Sequence, residues 1–275
     1  MTLDALLRVN PYRHGRWWIM RLVDHRELLY TLVWRELKVR YKQAIMGALW
    51  ALLMPILVVA AGVLVRVGFA MSTGRAVGWT DAMSVAVRGV PWAFLVAAIR
   101  FSSVSLIANR DLVTKVYLPR EVFPVASVLA QFADFLVASA VLLACLLATG
   151  TRPTLAWVWL PVLVGQLLVF VAGAGMLLAA ASLFFRDVKY LVEVIITFGI
   201  FFTPVFYEAR LFGRWETTLL LNPVAPILEG IGDVMVRGVA PALGWTAYSG
   251  AWALGLLLLA GPVFDAAEPY FAESI

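Results

Sequence analysis

Between Arg152 and Arg186 lie 33 consecutive residues without a charge. At about 1.5 Å of rise per helical residue, such a run can cross a hydrocarbon core ~30 Å thick. Backbone amides and carbonyls in lipid must be satisfied within the segment, so the run is read as helix. The rest of the chain has the same character: 63% of its 275 residues are hydrophobic and 14% are charged, far from the balance of a soluble domain. An all-α integral membrane protein that crosses several times is the expectation.

Hydropathy over a window of about 19 residues picks out candidate spans. They lie near Gly47–Phe69, Met83–Ala108, Val122–Thr149, Leu155–Phe185, Tyr190–Tyr207 and Leu243–Phe264. Six crossings place both termini on one side. Lys and Arg concentrate before Gly47 and around Arg110, Lys115, Arg120, Arg186 and Lys189, so the positive-inside rule puts both termini in the cytoplasm. The first 20 residues carry Arg8, Arg13 and Arg16 without an apolar stretch, and no cleaved signal peptide is expected. Cys145, the single cysteine, allows no intramolecular disulfide and no cysteine-based metal cluster; it is expected to be a buried thiol.

From Arg21 to Gln43 the pattern turns amphipathic, with Tyr30, Trp34, Leu37 and Tyr41 at helical spacing and Arg26, Arg35, Lys38 and Lys42 on other faces. Such a basic, aromatic helix belongs on a membrane surface, either as a topogenic anchor or as a docking element. Pro55 falls inside the first span, where a kink is expected. Ala172, Gly173, Gly175, Ala179, Ala180 and Ser182 make the fourth span a surface for close helix packing. Between Tyr207 and Leu243, Pro204, Pro223, Pro226 and Gly230 interrupt an apolar stretch, so short re-entrant or interfacial helices are expected, with Asn222 and Pro223 as cap and first turn.

Catalytic chemistry is sparse. His14 and His25 are the only histidines, and neither an HExxH sequence nor a GxxxxGK[ST] loop occurs, so neither a zinc site nor a nucleotide cradle is expected in this chain. ATP and magnesium, if used, belong to another polypeptide. Arg100, Gln131, Asp134 and Glu193 fall within or beside apolar runs, where ionisable groups face a bundle interior or a wet cavity. Arg100 and Asp134 are a candidate interhelical pair. Most of the 11 tryptophans, Trp79, Trp157, Trp159, Trp215 and Trp245 among them, suit an interfacial belt; Trp50 and Trp92 lie nearer the bundle and are candidates for contact with substrate.

Four segments taken together resemble the permease subunit of type-2 ABC exporters of O-antigen, capsule or teichoic acid polysaccharides. They are WRELKVRYKQAIMGALWALLMP (Trp34 to Pro55), NRDLVTKVYLPREVFP (Asn109 to Pro124), FFRDVKYL (Phe184 to Leu191), and TPVFY with LNPVAPILEG (Thr203 to Tyr207, Leu221 to Gly230). The resemblance runs from about Leu28 to the C-terminus. It implies a homodimer working with two ATPase subunits, which bind the ATP, and an undecaprenyl-type lipid-linked polysaccharide threading between the permeases. It assigns ATPase coupling to Arg35, Glu36, Lys38, Arg40, Lys115, Arg120, Glu121, Arg186 and Asp187. Glu121→Ala is then expected to uncouple export and leave the fold intact. Candidate channel or substrate residues are Trp50, Trp92, Arg100, Asp134, Tyr207 and Glu229. The chain departs from the pattern after Glu229, where Gly230, Ile231 and Gly232 follow in place of an aromatic and an arginine, and at Arg88 and Arg100 in the second span.

The reading is therefore a cytoplasmic N-terminal segment, residues 1–46, with an amphipathic interface helix, and a single six-helix transmembrane domain, residues 47–275. It places the chain in the bacterial plasma membrane, among lipids and without a nucleic-acid partner. A type-2 ABC permease for a drug or small lipid is the alternative, and a membrane-embedded glycan or lipid enzyme lacks the required acid, base or metal set.

Overall fold

A computed structural model describes residues 18–42, 49–73, 79–116, 118–148 and 150–271; His14, the basic residues before Trp17, and the Trp50 and Pro55 side chains lie outside what it describes. The described residues are helical with turns between and no strand. Two helices, α1 (Trp18–Asp24) and α2 (Arg26–Lys42), precede α3 (Leu49–Thr73) and α4 (Trp79–Ser103). Short α5 (Ser105–Ala108) and α6 (Arg110–Lys115) lead to α7 (Val122–Ala148), and α8 (Leu160–Phe184) follows a 3-10 turn over Leu155–Trp159. Next come α9 (Val188–Phe202), a 3-10 turn over Ala209–Trp215, α10 (Glu216–Leu220), α11 (Ala225–Gly232) and a π-helical turn over Asp233–Arg237. The last long helix is α12 (Leu243–Ala267).

Four segments are long and apolar enough to cross a membrane: Ala82–Ser103, Val122–Ala148, Leu155–Phe184 and Leu243–Tyr270. The first is 72% buried and the last 22%, which makes α4 the hub around which α3, α7, α8, α9 and α11 pack. Proline inside a helix is tolerated when neighbours shield the freed carbonyl, and α4 passes Pro91 without a break. Along α8 the small residues permit close approach: a β-carbon on Gly173 would lie 2.7 Å from the Leu257 amide nitrogen of α12, and one on Gly175 would lie 2.4 Å from Ser102 Oγ of α4. Dispersion at such short backbone separations is the attraction lipid cannot supply.

Three expectations need correction. The fifth apolar run was expected to reach Tyr207, but α9 stops at Phe202. Thr203 is extended (φ −118°, ψ 137°) because the ring of Pro204 excludes the helical region for the residue before it. Asn222 does not cap α11, whose N-cap is Val224; the Asn222 carboxamide accepts the Val224 amide at 3.1 Å and donates to Thr203 Oγ1 at 2.9 Å, tying the start of the outer helices to the end of α9. Cys145 is exposed on the surface of the isolated chain, because its position on α7 points away from the bundle.

The amphipathic segment is helical, as its spacing predicts. It is broken at His25 into two helices, and Tyr30 and Trp34 are exposed while Leu32 is buried. The bundle takes the face bearing Leu32, Arg35, Glu36 and Arg40, because each polar group on it finds a partner: Asn109 for Arg35, Ser127 for Glu36, Asp134 for Arg40.

Candidate functional site

Side chains of α2, α3, α4, α7 and α9 enclose a cavity of about 380 Å³. Among its lining residues are Arg40, Trp92, Arg100 and Asp134, brought together from α2, α4 and α7. Its polar end is built by ion pairs. Arg40 donates through Nη1 to Asp134 Oδ2 and, at 3.2 Å, to Gln131 Oε1, while Tyr41 donates its hydroxyl proton to Asp134 Oδ1. Arg100 grips Glu193 of α9 with Nε and Nη2 at 2.7 and 2.8 Å, the bidentate geometry that suits a guanidinium fork. The expected pairing of Arg100 with Asp134 is thus replaced: each takes a closer partner, on α9 and α2 respectively. Aromatic rings line the cavity as well, Phe101 lying 4.9 Å from the Arg40 guanidinium. Trp92 is 5% exposed, and Phe94 packs on Phe132 and Phe135 with centroids 5.7 and 5.1 Å apart.

A second polar group fastens the outer helices to α4. Arg88, 1% exposed, donates through Nη2 to Glu229 Oε2 at 3.1 Å and through Nη1 to the Ser84 hydroxyl. Glu229 also accepts the Ala209 amide at 2.6 Å, Ser84 donates to Glu208 at 3.4 Å, and Asp233 pairs with Arg237 at 2.8 Å. A charge buried to this degree needs a partner, and removing either one leaves the other stranded. Glu229 therefore holds the outer layer in place in this chain, and Arg88, which the sequence marks only as a lone arginine in an apolar run, is its counterpart. The signal for the pair is present in the sequence, since two intramembrane ionisable groups of opposite sign ask for each other, but a separation of 141 in residue number hides it. Tyr207, close enough to Glu229 to interact with its charge, donates its hydroxyl to the Phe201 carbonyl at 2.8 Å and packs on Phe212.

Of the coupling candidates Arg40 lines the cavity; the others gather at the opposite end, around a cluster that includes Trp18, Leu32, Leu106, Val113, Val122, Leu183 and Phe264. They divide into two kinds. Lys38, Lys115, Arg186 and Asp187 are exposed, Lys115 pairing with Asp111 one turn back at 2.7 Å and Lys38 lying 6.0 Å from the Trp34 ring. Glu121 is the other kind: 1% exposed, with Arg21 Nε 2.8 Å away and Arg21 in turn paired with Asp265. Burial pushes the Glu121 carboxyl above the ordinary carboxylate range, and the charge of Arg21 partly offsets this. Arg120 donates to the Glu268 carbonyl and lies 5.8 Å from the Phe271 ring. Glu36 accepts the Ser127 hydroxyl at 2.8 Å; burial raises its carboxyl as well, against the lowering effect of that hydrogen bond. So Glu121 supports the surface without forming part of it.

Among the described residues no group of three or more His, Cys, Asp or Glu side chains could hold a metal ion. What the described residues form is a packed helical bundle with a cavity lined by charged and aromatic side chains and two buried or half-buried sets of ion pairs.

Comparison with known proteins accords with that. The family described as ABC-2 type transporter matches residues 27–236. An O-antigen export system permease protein RfbA of Myxococcus xanthus is 29% identical over 261 residues, covering 94% of this chain and 98% of that protein. Two further proteins of the same description from Klebsiella pneumoniae are 27% and 26% identical, covering 78% and 77% of this chain and 82% and 81% of their own lengths.

Proposed function

The chain belongs to the ABC-2 type transporter family, a multi-pass membrane component of a transporter, and from that footing we propose that it is the permease of an O-antigen-type polysaccharide exporter. In this reading two copies form the path for a lipid-linked, undecaprenyl-type glycan across the bacterial inner membrane, and two separate ATPase subunits supply ATP hydrolysis with magnesium. The observation that carries it is the end-to-end likeness to the Myxococcus permease, which leaves 6% of this chain and 2% of that protein outside the match and so little room for a different architecture.

The remaining features agree with six spans and a shared side for both termini. The helix α3, 25 residues long, and α9 supply the two crossings beyond the four long apolar segments. Trp18 of α1 packs so closely on α12 that a β-carbon on Gly261 would lie 2.2 Å from its ring, so the N-terminal helix and the end of the last helix occupy one end of the bundle. That end carries Arg35, Lys38, Lys115, Arg186 and Asp187, basic and acidic groups suited to steering and orienting a docked partner, and it is the cytoplasmic end in this reading. Residues 1–46 are then the cytoplasmic segment and 47–275 the transmembrane domain.

Deleting the gene in its host tests this. Carrier-linked polymer accumulating in the cytoplasm with loss of surface polysaccharide is expected; unchanged glycan on both sides of the membrane would point to a permease for a small substrate.

A further inference from the structure

Resting on the reading of the chain as a membrane permease, we propose that the cavity between α2, α4, α7 and α9 binds an amphiphilic lipid phosphate, its phosphate at Arg40, Arg100 and Gln131 and the first part of its tail along Trp92. The argument is one of hydrogen-bonding capacity left over after the cavity's own pairs are made. Both oxygens of Asp134 accept a hydrogen bond, both oxygens of Glu193 accept one, and Gln131 Oε1 accepts one from Arg40. Nitrogen donors remain. Arg40 uses only Nη1 for these bonds, Arg100 uses Nε and Nη2, and Gln131 Nε2, in a side chain only 4% exposed, has no partner among the described residues. A guanidinium carries five N–H groups, so each arginine has donors to spare.

Convergent unspent donors call for an acceptor-rich, donor-poor group, and a phosphate ester is that. The aromatic lining of the cavity supplies the second half of the specification. Trp92 precedes Arg100 by eight residues on α4, so Trp92 stands roughly 12 Å from Arg100 along the helix, room for the first part of a tail. Free phosphate has no use for Trp92, Phe94 and Phe135. An isoprenoid or acyl chain does, and its removal from solvent adds the apolar contribution that pockets of this size are built on. Carrier lipid and bulk glycerophospholipid share this chemistry.

The full-length chain in its native assembly, in phosphatidylcholine nanodiscs, is to be photolabelled with a diazirine-bearing polyprenyl phosphate, a diazirine-bearing phosphatidylglycerol and a diazirine-bearing polyprenol without phosphate. Labelling is mapped by peptide mass spectrometry. Expected is labelling of residues 90–101 and 131–138 by a phosphate-bearing probe roughly tenfold above the polyprenol, the ratio a net charge-assisted bond supports. Dominance of the polyprenyl phosphate identifies the carrier lipid; equal labelling by phosphatidylglycerol identifies a membrane phospholipid; both support the site. Equal labelling by polyprenol, labelling confined to other helices, or complete competition by millimolar inorganic phosphate overturns it. Ala97→Phe fills the cavity and keeps its charges, and is expected to abolish the labelling; the wild-type map decides the matter if that variant does not fold. Export is not read in this experiment, so a blank map leaves the permease assignment standing, and a failed export phenotype leaves the map.

Discussion

Gly232 and Arg88 meet so closely that a β-carbon on the glycine would stand 2.8 Å from the guanidinium. The glycine makes room for the arginine that pins α11 to α4 through Glu229. Its conformation is ordinary helix (φ −61°, ψ −45°), so what selects glycine is space.

Gly232→Ala should push Arg88 off Glu229 and loosen the layer from Ala209 to Arg237. Overpacking of this kind costs about 1–3 kcal/mol. A lower unfolding temperature in detergent, with faster proteolysis between residues 208 and 237, would be its sign; a variant as stable as the parent would mean that Arg88 has another place to go.

Arg88→Met goes further, because it strands the Glu229 carboxylate, whose side chain is 13% exposed. Breaking one side of a buried pair costs about 3–5 kcal/mol. The double variant Arg88→Met with Glu229→Gln should recover part of that loss, and a thermal-shift comparison of the three proteins measures it.

Glu121→Ala, expected from the sequence to uncouple the protein and leave it folded, should instead destabilise it. Arg21, 8% exposed, would keep the Asp265 carboxylate, whose side chain is 44% exposed, and the more distant charge of Glu268. A loss of about 3 kcal/mol is the expectation for a half-abandoned buried charge. Soluble yield and melting temperature separate this from a docking defect, in which both would be normal.

Lys115→Ala and Arg186→Ala should behave the other way. Both side chains are exposed, and such substitutions change stability by about 0.5 kcal/mol or less. If this end docks an ATPase, surface glycan falls while the melting temperature stays; normal glycan in the double variant would remove these residues from the interface.

Gly173→Leu should separate α8 from α12. Its β-carbon already has the Leu257 backbone within 2.7 Å, and backbone cannot rotate away as a side chain can. Loss of folded protein is expected, with Gly165→Leu, where nothing lies within 4 Å, as the control that keeps it.

How much of this was open to sequence reading depends on the kind of information. Hydropathy located α3, α4, α7, α8 and α12 to within a few residues, because lipid leaves a helical backbone few alternatives. The small residues of α8 were read correctly as packing, since only close backbone approach makes use of them. Rotation was not legible. The face of α2 that packs on the bundle was chosen by partners on α7, and Asp134 gives no sign in sequence of preferring Arg40 and Tyr41 to Arg100. Nor does Glu121, beside Arg120 in a basic loop, reveal that it turns inward; that follows from where Arg21 is brought by the packing of Trp18 on α12.

The early end of α9 bears on the bilayer itself. A helix of 15 residues measures roughly 22 Å, short of a hydrocarbon core ~30 Å thick. Beyond it, Thr203 and Val205 are 1% and 0% exposed, so the non-helical backbone is sheathed by protein. In the proposed six-span reading, lipid beside this helix meets a hydrophobic mismatch of several ångströms, and a thinned bilayer is the cheaper way to accommodate it. On that reading membrane thickness bears on one flank of the chain, and acyl-chain length becomes a variable of transport.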